Sequence, residues 1–75
     1  MSKTTDLQNL FLLRALRSGE PLTLFLMNGF QMRGKLTGFD SFVVVLTTEG
    51  KQQIIYKHAI STIVPARPID LTLDT

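Results

Sequence analysis

Lys57 and His58 stand side by side in the stretch YKHAIST, residues 56–62, and His58 is the single histidine of this 75-residue chain. An ammonium beside an imidazole can donate to phosphate or to a base oxygen. An imidazole can also act as a general base, but only with a nucleophile in reach. No G-x-S-x-G, phosphate-binding loop or H-E-x-x-H supplies one. Asp40 and Glu49 show no pairing that suggests acid–base work. No catalytic residue, cofactor or enzymatic activity is therefore expected. A lone histidine, scattered carboxylates and no cysteine predict no metal site either. On these residues alone the pair reads best as a solvated turn.

Other groups could recognise a polyanion. Seven basic side chains face three acidic ones between Leu7 and Arg67, within a chain of net charge +2. That balance favours a negatively charged partner. Arg14 and Arg17 lie one turn apart and share a side if their segment is helical. Phe25, Phe30 and Met32, with Gln31, Arg33 and Gln53 nearby, could form a stacking surface for bases.

These groups need elements to hold them. TTDLQNLFLLRALRSGEP reads as one helix, N-capped by Asp6 or by a Thr5–Gln8 capping box and stopped by Gly19 and Pro21. LTLFLMNGFQMRGKLTGF reads as two strands joined by Asn28-Gly29 in a two-residue type I′ turn. That register sets Met27 opposite Phe30 and Phe25 opposite Met32, with all four on one face. Gln31, Arg33 and Gln53 would then act from the rim. The face is either covered by the helix or exposed. Gly34 and Gly38 fit a sharply bent strand. SFVVVLTT, KQQIIYK and STIVP supply three more strands, and ARPIDLTLDT reads as a tail. The expected class is mainly β: an N-terminal α-helix followed by a five-stranded, strongly bent, SH3-like open barrel.

The polar start MSKTTD does not read as a signal peptide, and no apolar run approaches the ~20 residues of a membrane span. A soluble cytoplasmic protein with no membrane partner is expected. A domain this short buries only ~60% of its unfolded surface. With no disulfide or metal to staple it, oligomerisation is expected.

YKHAIST, NGF, GFDSFVVVL and the leading LQNLFL together resemble Hfq, the bacterial Sm-like RNA chaperone family, across Leu7 to about Pro65. NGFQMRG and EGKQQI resemble its Gram-positive branch. The resemblance implies an Sm-like barrel in residues 7–65, a flexible N-terminus in 1–6 and a short C-terminal tail in 66–75. It also implies a homohexameric ring, with the fourth strand of one subunit on the fifth of the next. Ring closure would protect two apolar edge strands.

By the same resemblance, a proximal face would bind U-rich RNA ends through Gln8, Ser41, Phe42, Lys57 and His58. A distal face would bind A-rich RNA through Phe25, Gly29, Phe30, Gln31, Met32, Arg33, Gln53 and Thr62, which implies that the apolar hairpin face is exposed. Arg14 and Arg17 would form a reduced rim patch, with Leu13 where Asn is common. Ser41 replaces the Gln or Asn of many relatives. The implied function is to pair small regulatory RNAs with mRNAs in post-transcriptional regulation. A protein-binding adaptor on the same barrel is the alternative.

Overall fold

A computed structural model describes residues 6–72. Thr5 of the capping box and Asp74 of the tail lie outside the described residues, and so do the expectations placed on them. The elements run α1 (Leu7–Ser18), β1 (Pro21–Leu26), β2 (Gln31–Phe39), β3 (Val43–Thr48), β4 (Lys51–Tyr56) and β5 (Ile60–Pro65). A 3-10 turn, Lys57–Ala59, links β4 to β5.

Asp6 caps α1. Its Oδ1 accepts from the Asn9 N–H at 3.2 Å, satisfying a donor that the helix start leaves orphaned. Gly19, at φ 70°, ends the helix in the left-handed region that a side chain disfavours. The helix buries Leu12 and Ala15 and leaves Leu7 and Leu13 exposed.

The five strands are antiparallel neighbours in the order β4-β3-β2-β1-β5, so the sheet bends without closing and β4 and β5 are its two edges. Alternate residues point inward: Leu22 and Leu24 from β1, Leu36 from β2, Val44 and Leu46 from β3, and Ile55 from β4. With Leu12 and Ala15 they form the core. Each fully buried leucine contributes about 1.5–3 kcal/mol.

β2 bends where its pairing with β3 shifts, between Leu36 and Gly38. At Gly34 the backbones run so close that an added Cβ would lie 2.9 Å from the Thr47 carbonyl oxygen and would overlap Thr48 Oγ1. Only glycine fits there without moving β3.

The hairpin departs from the expected register. Leu26 N–H donates to the Phe30 carbonyl at 2.8 Å, and Gly29 N–H donates to the Leu26 carbonyl at 2.9 Å. Gly29 has φ 92°, whereas Asn28 is not among the residues with positive φ. The loop therefore holds three residues, Met27–Gly29, closed by a left-handed glycine, rather than a two-residue type I′ turn. The Asn28 side chain explains the choice. Its Oδ1 accepts from Phe30 N–H at 3.0 Å, a bond two residues ahead that stabilises a non-primed turn.

One extra loop residue slides the pairing, so Leu24 faces Met32 and Phe25 faces Gln31. Met32 belongs to the inner face and packs against the core. The four-residue apolar face expected from the sequence does not form.

The segment after β5 also differs from a free tail. Ala66 N–H donates to the Pro21 carbonyl at 2.9 Å, and Ile69 packs against the core. The Arg14 guanidinium donates to the Asp70 carbonyl and, at 3.0 Å, to the Thr72 carbonyl. Asp70 accepts from Thr72 N–H at 2.8 Å. That bond and one from the Thr72 side chain hold its carboxyl below the ordinary value, with Arg14 adding to the effect.

Candidate nucleic-acid interface

The first group of candidate residues gathers where the β2–β3 turn meets the 3-10 turn. Asp40 organises it. Its Oδ1 accepts from both Phe42 N–H, at 2.8 Å, and Val43 N–H, at 2.9 Å. Its own N–H donates to the Val43 carbonyl at 3.0 Å. Those two donors hold the Asp40 carboxyl below its ordinary value, and the charge of Lys57 adds to them.

The tight loop leaves the Phe42 side chain 73% exposed. Its carbonyl accepts from Lys57 N–H at 2.8 Å, tying the two turns together. Lys57 Nζ lies 5.7 Å from the centre of the Phe39 ring, within the range of a cation–π contact. The His58 ring stacks on Tyr56, with centroids 5.7 Å apart and planes 25° from parallel. Gln8 reaches the same neighbourhood from the first turn of α1. Together with Lys57 it lines a recess of about 180 Å³ floored by Leu12 and Val44 and walled by Ile60–Ile63. Ser41, Phe42, Lys57 and His58, distant in sequence, thus share one corner, and Gln8 borders it.

This corner can stack a base on Phe42 and offer a cation to phosphate. Sequence reasoning saw no role for Asp40, and the Asp-Ser-Phe turn signature was the signal available.

The second group lies on the outer face of the hairpin. Gln31 and Thr62 flank Phe25 directly, one from β2 and one from β5. Arg33 is exposed and shares that face, opposite Thr23. The observed register therefore puts Gln31 and Arg33 beside Phe25, not at a rim. Phe30, 68% exposed, and Gly29 project from the loop. Met32 points the other way, beneath this surface. Gln53 is exposed on β4, three strands from β1 in the sheet order, so one chain does not bring it next to Phe25.

The third group is split. Arg17 is exposed in the last turn of α1, while Arg14 is engaged by the C-terminal segment. No group of three or more potential metal ligands occurs among the described residues. No helix there is long and apolar enough to cross a membrane.

The family model for Hfq protein matches residues 7–70. The chain belongs to the Hfq family. An RNA-binding protein Hfq from Moorella thermoacetica is 54% identical, the match covering 100% of this chain and 90% of that relative. One from Clostridium acetobutylicum is 56% identical over 88% of this chain and 82% of its own. These relatives come from Gram-positive bacteria, the branch that NGFQMRG and EGKQQI resemble.

A solved structure described as the pleiotropic translational regulator Hfq superposes with a TM-score of 0.76 at 42% identity, covering 79% of this chain and 98% of that one. An Hfq protein from Anabaena shares the fold, with a TM-score of 0.67 at 24% identity, over 72% of this chain and 87% of that one. The helix followed by five bent antiparallel strands is therefore the Hfq arrangement, as expected.

Proposed function

We propose that this chain is a non-enzymatic, cytoplasmic RNA chaperone working as a homohexameric ring. Its proximal corner takes U-rich RNA ends: Phe42 stacks a base, Lys57 and His58 meet phosphate or ribose, and Ser41 and Gln8 touch base edges. Its hairpin face takes A-rich RNA, with Phe25 and Phe30 as stacking surfaces and Gln31, Arg33, Thr62 and the Gly29 backbone as polar partners. Met32 backs that face from beneath, and Gln53 joins it from a neighbouring subunit. Holding two RNAs at once on opposite faces promotes pairing of small regulatory RNAs with mRNAs.

The observation that carries this reading is the corner where Asp40 holds the Phe42 loop, which leaves the Phe42 ring exposed and takes the Lys57 N–H on its carbonyl. An exposed aromatic face and a cation in one corner suit a base with its phosphate. The membership of the chain in a family whose relatives are named RNA-binding proteins supports it. The two unpaired strand edges support the ring, since β4 and β5 each present an open ladder.

The test is titration of short U-rich and A-rich oligonucleotides across a salt series, with solution mass measured on the same sample. Affinity should fall as salt rises, and the mass should be that of six chains. A stable monomer that binds neither oligonucleotide would favour a protein-binding adaptor instead.

A further inference from the structure

The outer face of β2 carries two cations that neither the fold nor the RNA sites above fully use. Beyond Gln31 the outward positions are Arg33, Lys35 and Thr37, and all three are exposed. Residues on one face of a strand recur every ~6.7 Å, roughly one nucleotide step of an extended RNA strand. The residues paired with these two cations across the sheet are not acidic. Thr23 stands opposite Arg33, and Pro21 and Thr47 stand opposite Lys35. The Thr37 and Thr47 hydroxyls are hydrogen-bonded at 2.9 Å, which closes the row with a neutral polar pair.

Among the described residues the side chains of Arg33 and Lys35 make no hydrogen bond, whereas the Arg14 side chain is held by two carbonyls. Beneath the row the backbone is pinned. Thr48 Oγ1 donates to the Arg33 carbonyl, and Gly34 lies in close contact with β3.

We propose that this row is a phosphate track for a single RNA strand leaving the A-rich face, with Lys35 as its outer anchor. The track starts at the Phe25–Gln31 pair and runs along β2 towards Thr37. It has no aromatic beyond Phe25, so it reads charge and not base identity. RNA flanking an A-rich stretch is held by its backbone whatever its sequence. The inference rests on the A-rich reading of the hairpin face.

The test compares an A-rich oligonucleotide with the same oligonucleotide carrying a cytidine extension, on the intact assembly. With wild-type protein the extension should tighten binding several-fold at low salt and steepen the salt dependence, by about 0.7 in the log–log slope per phosphate engaged. Lys35→Ala should remove that gain while leaving the unextended probe within about twofold, and Lys35→Arg should restore it.

Equal affinity of wild type for both probes overturns the track alone. So does a Lys35→Ala variant that weakens both probes alike. Failure of wild type to bind the unextended probe overturns the A-rich reading and the track with it.

Discussion

The two candidate RNA surfaces are built in opposite ways. The hairpin face is made by register: Phe25, Gln31 and Thr62 are side by side because three neighbouring strands pair there. The corner around Phe42 and Lys57 is made by turns, and hydrogen bonds from loop to loop set its geometry. A register-built surface is rigid wherever the sheet is rigid. A turn-built one depends on single acceptors such as Asp40. The two adjoin across β1 and β5, where Met27 N–H donates to the Ala59 carbonyl at 2.8 Å and the Ser61 hydroxyl to the Phe25 carbonyl at 3.0 Å. They share a core, but their exposed aromatics and cations come from different elements, so they should respond separately to a change of one such side chain and together to global change.

The largest expected effect is on what they share. Leu24 is fully buried, and Leu24→Ala should cost about 2–5 kcal/mol of stability. Thermal or denaturant unfolding reads this directly, and both RNA affinities should fall together near the new midpoint. Loss of one alone would show that the two surfaces do not rest on one core.

Next come the paired substitutions that separate them. Lys57→Ala should weaken U-rich binding by about 1.5–3 kcal/mol, the range of a charge-assisted hydrogen bond, and spare A-rich binding. Phe30→Ala should do the reverse, at about 1–3 kcal/mol for a lost stacking surface. Titrations with both oligonucleotides on both variants check this, and equal losses on both ligands would refute the separation.

A smaller effect is specific to the turn-built corner. The Asp40 carboxyl sits below its ordinary value, so the folded loop favours the carboxylate. Its contribution is complete above the unfolded value of about 3.9 and is lost as pH falls through the lowered folded value. The Phe42 and Val43 amide NMR signals should move on acidification below about pH 4, and Asp40→Asn should abolish that titration. The smallest effect belongs to the hairpin. Asn28→Ala removes one exposed side-chain bond to the backbone and should cost about 0.5–1.5 kcal/mol, read by unfolding, with the register unchanged.

Much of the fold is legible in the sequence because local signals agree. Asp6 and Gly19 mark the ends of α1, alternating leucines mark β1, and a continuous apolar run marks β3. What misleads is Asn28-Gly29, which fits two loop lengths. A left-handed glycine is required by both, and the choice rests on whether Asn28 also turns left-handed or bonds ahead to Phe30. No property of the pair alone decides that. Local pattern has still less grip on the corner, since Gln8, Phe42 and Lys57 come from three parts of the chain. Its residues are legible only through the joined motifs of a family. The hold of Arg14 on the Asp70 and Thr72 carbonyls leaves no sequence pattern at all.

The three-residue loop has a bearing on how such a protein tolerates change in length. Surface loops usually accept insertions and deletions, because neighbouring elements do not depend on their size. Here the spacing is parity-sensitive. Shortening Met27–Gly29 by one residue while β1 stays paired would move β2 by one position. Met32 would then turn to solvent, and Arg33 would be driven at the core. An exposed loop is thus one whose length is not free to drift, and substitutions there should be far better tolerated than a single gap.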